Sequence, residues 1–497
     1  MKAFSYLAIL ATLPLCAPCL ASDWYVDAVN GNDANGGTSA QDAWRTISYS
    51  LTQLGPDQTL HVLPGTYGVG NGEIFPLAPP TGTVLIGDGG AAATTIAASV
   101  AVLFNLDSTA GNVSLVASGL TLRDASTAFR CWAFEWTAGC LDLGLTDAVI
   151  ENCQRAVALT AANPGFLCHD VTFDRVTVRD GFRGIEIDNE EFCDADVIVQ
   201  DSLFEDLSDA AIWVRAGIET FDDTTIRRSR ILNCGEAYNG AFSSSGRVFL
   251  DIDDSLIAGC GSGVTNDGFI NVRRSTIADC TGVGVHGASG TLAQSIVWGN
   301  GQSLTGTFGV QFCDVEGGVV PGPGNLSVDP LFRDAARGDY RLGFGSECVD
   351  LLPGASGTDL TGFPRGNDGD LDLVDGRDIG AFELRTLDMV TSIAIGKKLH
   401  IDLHAEVGTF SALYLTRTGQ LAMPLATPFG EQWLPTAFLE LVGTHKVLTP
   451  QPVRRTVYVP DDPGLIGMEF SFQALSRSSG APQGAAWTDA RTVVFTP

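Results

Sequence analysis

Ser229-Arg-Ile-Leu-Asn-Cys234, Ser255-Leu-Ile-Ala-Gly-Cys260 and Ser275-Thr-Ile-Ala-Asp-Cys280 repeat one pattern: a short apolar strand, an Asx or glycine, then a cysteine. Earlier copies are Leu120-Thr-Leu-Arg-Asp-Ala125, Ala148-Val-Ile-Glu-Asn-Cys153, Val176-Thr-Val-Arg-Asp-Gly181 and Ser202-Leu-Phe-Glu-Asp-Leu207, and Ser295-Ile-Val-Trp-Gly-Asn300 follows. The eight copies recur at 28, 28, 26, 27, 26, 20 and 20 residues. A period in the twenties, with Val/Ile/Leu strands, glycine-rich turns and no helical pattern, predicts a β-solenoid.

Stacking the copies sorts residues into columns. The third position reads Leu122, Ile150, Val178, Phe204, Ile231, Ile257, Ile277 and Val297, an interior column. Two residues on stand Asp124, Asn152, Asp180, Asp206, Asn233, Gly259, Asp279 and Gly299. Period-2 alternation places this fifth position on the same face, at a bend where short polar side chains tolerate unusual φ. Between the two columns Arg123, Glu151, Arg179 and Glu205 alternate in sign on rungs about 4.8 Å apart. That ladder reads as a solvated face before it reads as a binding strip.

Composition narrows the function. The 497 residues carry 29 Lys plus Arg against 58 Asp plus Glu, a formal charge of −29. Such a surface repels phosphate backbones and excludes nucleic acid as a partner. With 45% hydrophobic residues the chain is not an acidic disordered one, and 58 glycines without a triplet period are not collagen. Only Lys2, Lys397, Lys398 and Lys446 are lysines, so the solenoid has none.

Residues 1–21 read as a signal peptide: Lys2, an apolar run from Phe4 to Leu15, and cleavage after Ala21. Removing Lys2 takes the mature charge to 28 − 58 = −30. No other stretch is long and apolar enough for a transmembrane segment. An exported chain, secreted or at the cell surface, is therefore expected, and a monomer. Ten cysteines remain, all between Cys131 and Cys348. Cys153, Cys234, Cys260 and Cys280 fall in one column, where neighbours at about 4.8 Å suit a disulfide; three on consecutive rungs cannot all pair with one another. Cys140, Cys168 and Cys193 stand about one rung apart and could staple loops. No zinc-type CxxC spacing occurs in the mature chain.

Trp44 to Leu54 places Ile47, Leu51 and Leu54 at helical spacing, a plug for the open N-terminal end. The stretches Trp24-Tyr-Val-Asp-Ala-Val-Asn-Gly-Asn-Asp33, Val62-Leu-Pro-Gly-Thr-Tyr67 and Val84-Leu-Ile-Gly-Asp88 resemble secreted bacterial right-handed parallel β-helix proteins of the pectin-lyase-like class. Ser295-Ile-Val-Trp-Gly-Asn300, Cys313-Asp-Val-Glu-Gly-Gly318, Asp329-Pro-Leu-Phe332, Asp339-Tyr-Arg-Leu342 and Asp378-Ile-Gly-Ala-Phe-Glu383 resemble the closing segment of β-helix proteins that carry varied C-terminal anchors. The resemblance spans about residues 23–384. It implies an all-β, right-handed parallel β-helix solenoid, secretion, and a Cys313–Cys348 disulfide; it does not imply one activity. After residue 388 alternating strands (Lys398–His404, Phe410–Thr416, Arg455–Val459, Met468–Leu475, Arg491–Thr496) predict a small β-sandwich. The expected organisation is signal peptide 1–21, N-terminal cap and first coils 22–110, further coils and closing segment 111–384, and β-sandwich 388–497.

Lyases of the resembled class use a Lys or Arg base and Ca²⁺ or Arg against the substrate carboxylate. The missing lysine excludes a lysine base, and an arginine base needs a pKa that the guanidinium resists. Hydrolases on the fold use carboxylates with His and Lys; Asp222-Asp223, Asp253-Asp254 and His286-Gly287 are fragments of such a set. No catalytic residue is assigned. The expected function is extracellular glycan binding or a surface scaffold, with a polysaccharide lyase or glycoside hydrolase along the solenoid groove as the alternative.

Rung arithmetic makes outward Glu186, Asp188, Trp213 and Arg215 neighbours. An indole stacks on a sugar face, and the charged groups bond its hydroxyls. Asp368-Gly-Asp370-Leu-Asp372, before Asp375 and Asp378, has the alternating carboxylates that suit Ca²⁺, although Leu373 and Ile379 replace the Gly and Glu of an EF-hand. His400, Asp402 and His404 are expected on one exposed strand face, and Asn30 to Asn35 as a turn.

Overall fold

A computed structural model describes residues 23–107, 111–133, 139–161, 167–189, 193–242, 246–449 and 451–497. The expected signal segment lies outside them. Twenty-seven strands among the described residues form one parallel sheet wound into a β-helix. A coil has three strands: Thr177–Gly181, Arg183–Asn189 and Cys193–Gln200 pair with Leu203–Leu207, Ala210–Ala216 and Phe221–Arg227 of the next. In later coils the second and third strands fuse, as in Ser262–Arg273, with a register shift between Asn266 and Phe269. That fusion contracts the repeat to 20 residues.

The third-position column runs unbroken from Leu122 to Val297, each residue paired with the next, and each at most 2% exposed. Burying one such side chain contributes roughly 1.5–3 kcal/mol.

The fifth position differs from the expectation in one respect. All eight residues have left-handed backbone, from φ 53° at Asn152 to 73° at Gly299. A left-handed residue breaks the two-residue alternation, so the fifth side chain turns outward and the sixth goes in. Ala125, Cys153, Leu207, Cys234, Cys260 and Cys280 are accordingly buried. Asx residues fit because they tolerate this region and bond locally; Asn152 Nδ2 donates to Asp124 Oδ1 at 2.6 Å. In the intervening column Arg179 meets Glu151 at 2.7 Å, as the alternation of signs predicts.

A second left-handed column precedes each strand: Asp147, Arg175, Asp201, Arg228, Asp254, Arg274 and Gln294, with φ between 43° and 55°. Within it Arg175 bonds Asp147 (2.7 Å), Arg228 bonds Asp201 (2.8 Å) and Arg274 bonds Asp254 (3.0 Å). Next to this column runs a buried serine ladder. The amides of Ser202, Ser229, Ser255 and Ser275 donate to the hydroxyls of Ser229, Ser255, Ser275 and Ser295 at 3.1–3.2 Å. Each hydroxyl donates back within its own coil, as Ser255 Oγ does to Asp253 O at 2.8 Å. The ladder satisfies main-chain N–H groups that the corner takes out of the sheet.

The helix Ile47–Gln53 plugs the first coil with Ile47, Leu51 and the following Leu54. Glu73 accepts from the amides of Ile47 (2.6 Å) and Ser48 (2.8 Å) at its start. The Asn30–Asn35 loop is a turn: Asp33 Oδ1 accepts from the amides of Arg45 and Thr46. The closing segment packs on the outside of the last coils, where Leu256, Ala258 and Ala278 are buried by Tyr340, Leu360 and Phe382. Arg365, 1% exposed, ties it down through Asp254 at 3.1 Å and Gly380 O at 2.9 Å.

Beyond it, the sheet of Leu387–Met389, Lys398–Leu403 and Val453–Tyr458 faces a second sheet that includes Phe410–Thr416, Glu469–Ser476 and Arg491–Thr496. They share a core of Leu399, Ile401, Leu413, Phe472 and Val493, which is the expected sandwich. His404 does not stand on the exposed face with His400 and Asp402; it follows the strand and is 1% exposed.

Cys140 is disulfide-bonded; the Cys168 side chain lies outside what is described. Cys153, Cys234, Cys260, Cys280, Cys313 and Cys348 carry free thiols. The expected Cys313–Cys348 bond is therefore not formed: Cys313 Sγ donates to Gln311 O (3.3 Å) and Cys348 Sγ to Asp314 Oδ2 (3.4 Å). Burial pushes the Cys153 and Cys313 thiols up to about 11, which keeps them protonated and unreactive.

Candidate functional site

The third strand of each coil presents one outward column that changes character along the solenoid. Asp142, Asp170, Asp196 and Asp223 occupy it on four consecutive rungs, followed by Phe249, Phe269, Ser289 and Thr307. The strands alternate strictly, so Asp222 and Thr224 point inward while Phe221 and Asp223 point out. Phe249 and Phe269 keep 38% and 37% of their surface exposed, which leaves both side chains open to a ligand.

Phe249 and Phe269, with Phe242, Arg247, Asp267 and Ser289, line a cleft of about 330 Å³. Phe242 also lines an adjoining cleft of about 360 Å³ with Asn189, Arg215, Ala216 and Ile218. The two clefts meet at Phe242 and cross successive rungs. Asp223, directly opposite Phe249, borders the aromatic step. Burial, then Asp196, Asp251 and Asp194, raises its carboxyl above the usual range.

The residues predicted from rung arithmetic are brought together. Glu186 pairs in register with Trp213 and Asp188 with Arg215. Their polar groups are engaged with protein, however. Glu186 accepts from Arg155 at 2.5 Å and Arg183 at 3.0 Å, and Arg215 Nε donates to Asp188 Oδ1 at 2.5 Å. Arg183 lies 4.5 Å over the Trp213 ring, covering one indole face. Of the four, Arg215 reaches a cleft.

The catalytic fragments stay apart. Asp222 is 1% exposed inside the coil, where Asn189 Nδ2 donates to it at 2.9 Å and burial pushes its carboxyl up to about 7. Asp253 and Asp254 are held by Arg274, and His286 Nδ1 lies 2.6 Å from Thr305 Oγ1.

The acidic closing loop forms a different group from the one expected. Ligand atoms of Asp350, Asp368 and Asp370 lie within 4.8 Å of one another. Asp372 is not among them; its amide donates to Asp368 Oδ1 and Asp370 Oδ1, closing the loop. Burial first, and the neighbouring carboxylates after it, push Asp350 up to about 8 and Asp368 up to about 7. Asp350 Oδ1 has no hydrogen-bond partner. Three oxygen ligands brought together from two stretches of the closing segment suit a hard cation such as Ca²⁺.

Residues 29–105 match a family described as a protein of unknown function (DUF1565). Among solved structures the chain is similar to the pectate lyase Pel9A, with 14% identity over 73% of this chain and 96% of that one and a TM-score of 0.36. It is similar to a rhamnogalacturonan lyase at 9% identity, over 57% of this chain and 84% of that one, with a TM-score of 0.35. A GH136 lacto-N-biosidase from Eubacterium ramulus shows 10% identity over 62% of this chain and 68% of that one, with a TM-score of 0.34. No curated protein matches significantly. Likeness at this level says nothing of what this chain binds or cleaves. No helix among the described residues is long and apolar enough to cross a membrane.

Proposed function

We propose that the chain is an exported carbohydrate-binding β-helix that holds a glycan along the cleft at Phe242, Phe249 and Phe269. The observation that carries this reading is the direct pairing of Phe249 with Phe269, both open to solvent, one rung apart. Two exposed aromatic side chains on neighbouring strands, about 4.8 Å apart along the solenoid, present an apolar surface of the kind a pyranose face covers. Arg247 and Asp267 at its rim and Asp223 beside it supply donors and acceptors for hydroxyls. The acidic column leading to the step disfavours polyuronates and favours neutral or basic glycans.

Binding without cleavage is the better-supported form, because the carboxylates at Asp222, Asp223, Asp253 and Asp254 and the imidazole of His286 face different surroundings. The test is titration of the purified chain with neutral, acidic and amino-substituted oligosaccharides, with product formation followed in parallel. Affinity lost in Phe249→Ala and Phe269→Ala, with the oligosaccharide recovered intact, supports the reading. Unchanged affinity in both variants overturns it, and cleaved product moves the chain to the lyase or hydrolase class.

A further inference from the structure

A second cleft, of about 450 Å³, lies between the closing loop and the sandwich, away from the aromatic column of the solenoid. Asp368 and Asp375 line it from the loop; Glu431, Trp433, Trp487 and Asp489 line it from the sandwich. The main chain around these groups is fixed. The amide of Trp487 donates to Phe429 O at 2.9 Å, that of Trp433 to Gln473 Oε1 at 2.9 Å, and Asp489 Oδ2 accepts from the amide and hydroxyl of Thr386. Trp487 Nε1 is buried with no acceptor.

Three features of this lining specify a ligand. Indole faces attract a cation through the ring quadrupole, more strongly than other aromatics do. The exposed carboxylates of Asp375 and Glu431, with no Lys, Arg or His among the described lining residues, place a negative field in the same space and repel phosphates and uronates. An indole face also covers the apolar face of a sugar ring. A neutral hexose answers only the third feature and leaves the charge uncompensated; a simple ammonium ion answers the first two and leaves an indole face uncovered. We infer that this cleft binds a glycan unit carrying a protonated amino group, its ammonium held between the carboxylates and one indole face and its ring lying on the other indole. The site is separate from the solenoid cleft and does not depend on it.

The test uses the full mature chain, the glucosamine trimer and its fully N-acetylated counterpart. Binding is followed by calorimetry and tryptophan fluorescence at a pH where the amine is protonated. The glucosamine trimer should bind more tightly and lose affinity as salt is added. Measured in a Phe249→Ala background, which removes the aromatic step of the solenoid, Trp433→Ala should weaken it roughly three- to thirtyfold and Glu431→Gln roughly two- to fivefold. Glu431 is exposed, so that variant keeps the test decisive if the tryptophan variant fails to fold. Equal binding of the N-acetylated trimer, or full affinity in both Trp433→Ala and Glu431→Gln, overturns the inference. Loss confined to Phe249→Ala would also overturn it, by assigning the amino glycan to the solenoid.

Discussion

Asp170 lies directly opposite Asp196 on the next parallel strand, with Asp142 opposite its other side. Like charges facing each other across strands are destabilising. Burial raises the Asp170 carboxyl above its usual range, and Asp196 and Asp142 raise it further. A raised folded pKa means the folded state prefers the protonated form, so this column lowers stability as pH climbs through the carboxylate range.

Asp170→Asn should therefore stabilise the fold at neutral pH by an amount on the order of 0.5 kcal/mol, seen as a higher melting temperature. Thermal melts at low and high ionic strength check it. The gain should shrink in salt, which screens exposed charges; a variant no more stable than the parent at low salt would count against the repulsion.

Ser255→Ala should cost about 1–3 kcal/mol, the penalty of leaving a buried donor unpaired. The lost hydroxyl is the acceptor for Ser229 N at 3.2 Å. Urea unfolding of Ser255→Ala beside a variant of an exposed serine such as Ser208→Ala separates the ladder from a generic serine effect.

Stability should also fall with rising pH because of the closing loop. Asp350 and Asp368 are raised to about 8 and about 7, so their contribution is present while they are protonated. It is lost as pH rises from the unfolded carboxylate range through these values. Melting curves between pH 5 and 9 should show the decline, Asp350→Asn should flatten it, and added Ca²⁺ should reverse it in the parent but less in the variant. A Ca²⁺-independent melting temperature at pH 9 removes cation binding from this loop.

If the solenoid cleft binds a glycan as proposed, Phe249→Ala should reduce its affinity roughly tenfold, as loss of one stacking ring does, with little change in melting temperature because the ring is 38% exposed. Calorimetry and a melt on the same sample decide between a binding role and a packing role.

The interior column from Leu122 to Val297 was legible because a buried position must be apolar in every coil. The Asx column was legible because few side chains accept left-handed backbone. That this backbone turns the fifth residue outward was not, since alternation alone predicts the reverse. The serines stood in plain view at Ser229, Ser255 and Ser275, but their role is a hydrogen bond between coils, which spacing does not reveal. Glu186, Asp188, Trp213 and Arg215 were placed together correctly, because register follows from the repeat; the Arg183 guanidinium over Trp213 depends on a side-chain conformation that no pattern encodes. Phe249 and Phe269 lie outside the repeated motif, so their pairing waits on the register of the third strand. Asp350 joins Asp368 and Asp370 only through the path of the closing segment.

The left-handed corners make each coil an interchangeable part. A coil enters and leaves through the same two turns, so a whole one can be added or removed without redesigning its neighbours. The aromatic step then behaves as a mark on a graduated rule: inserting a coil on either side moves its distance from the acidic column or the sandwich by one strand spacing. The distance between marks changes in increments of about 4.8 Å, while the chemistry at each mark stays as it is.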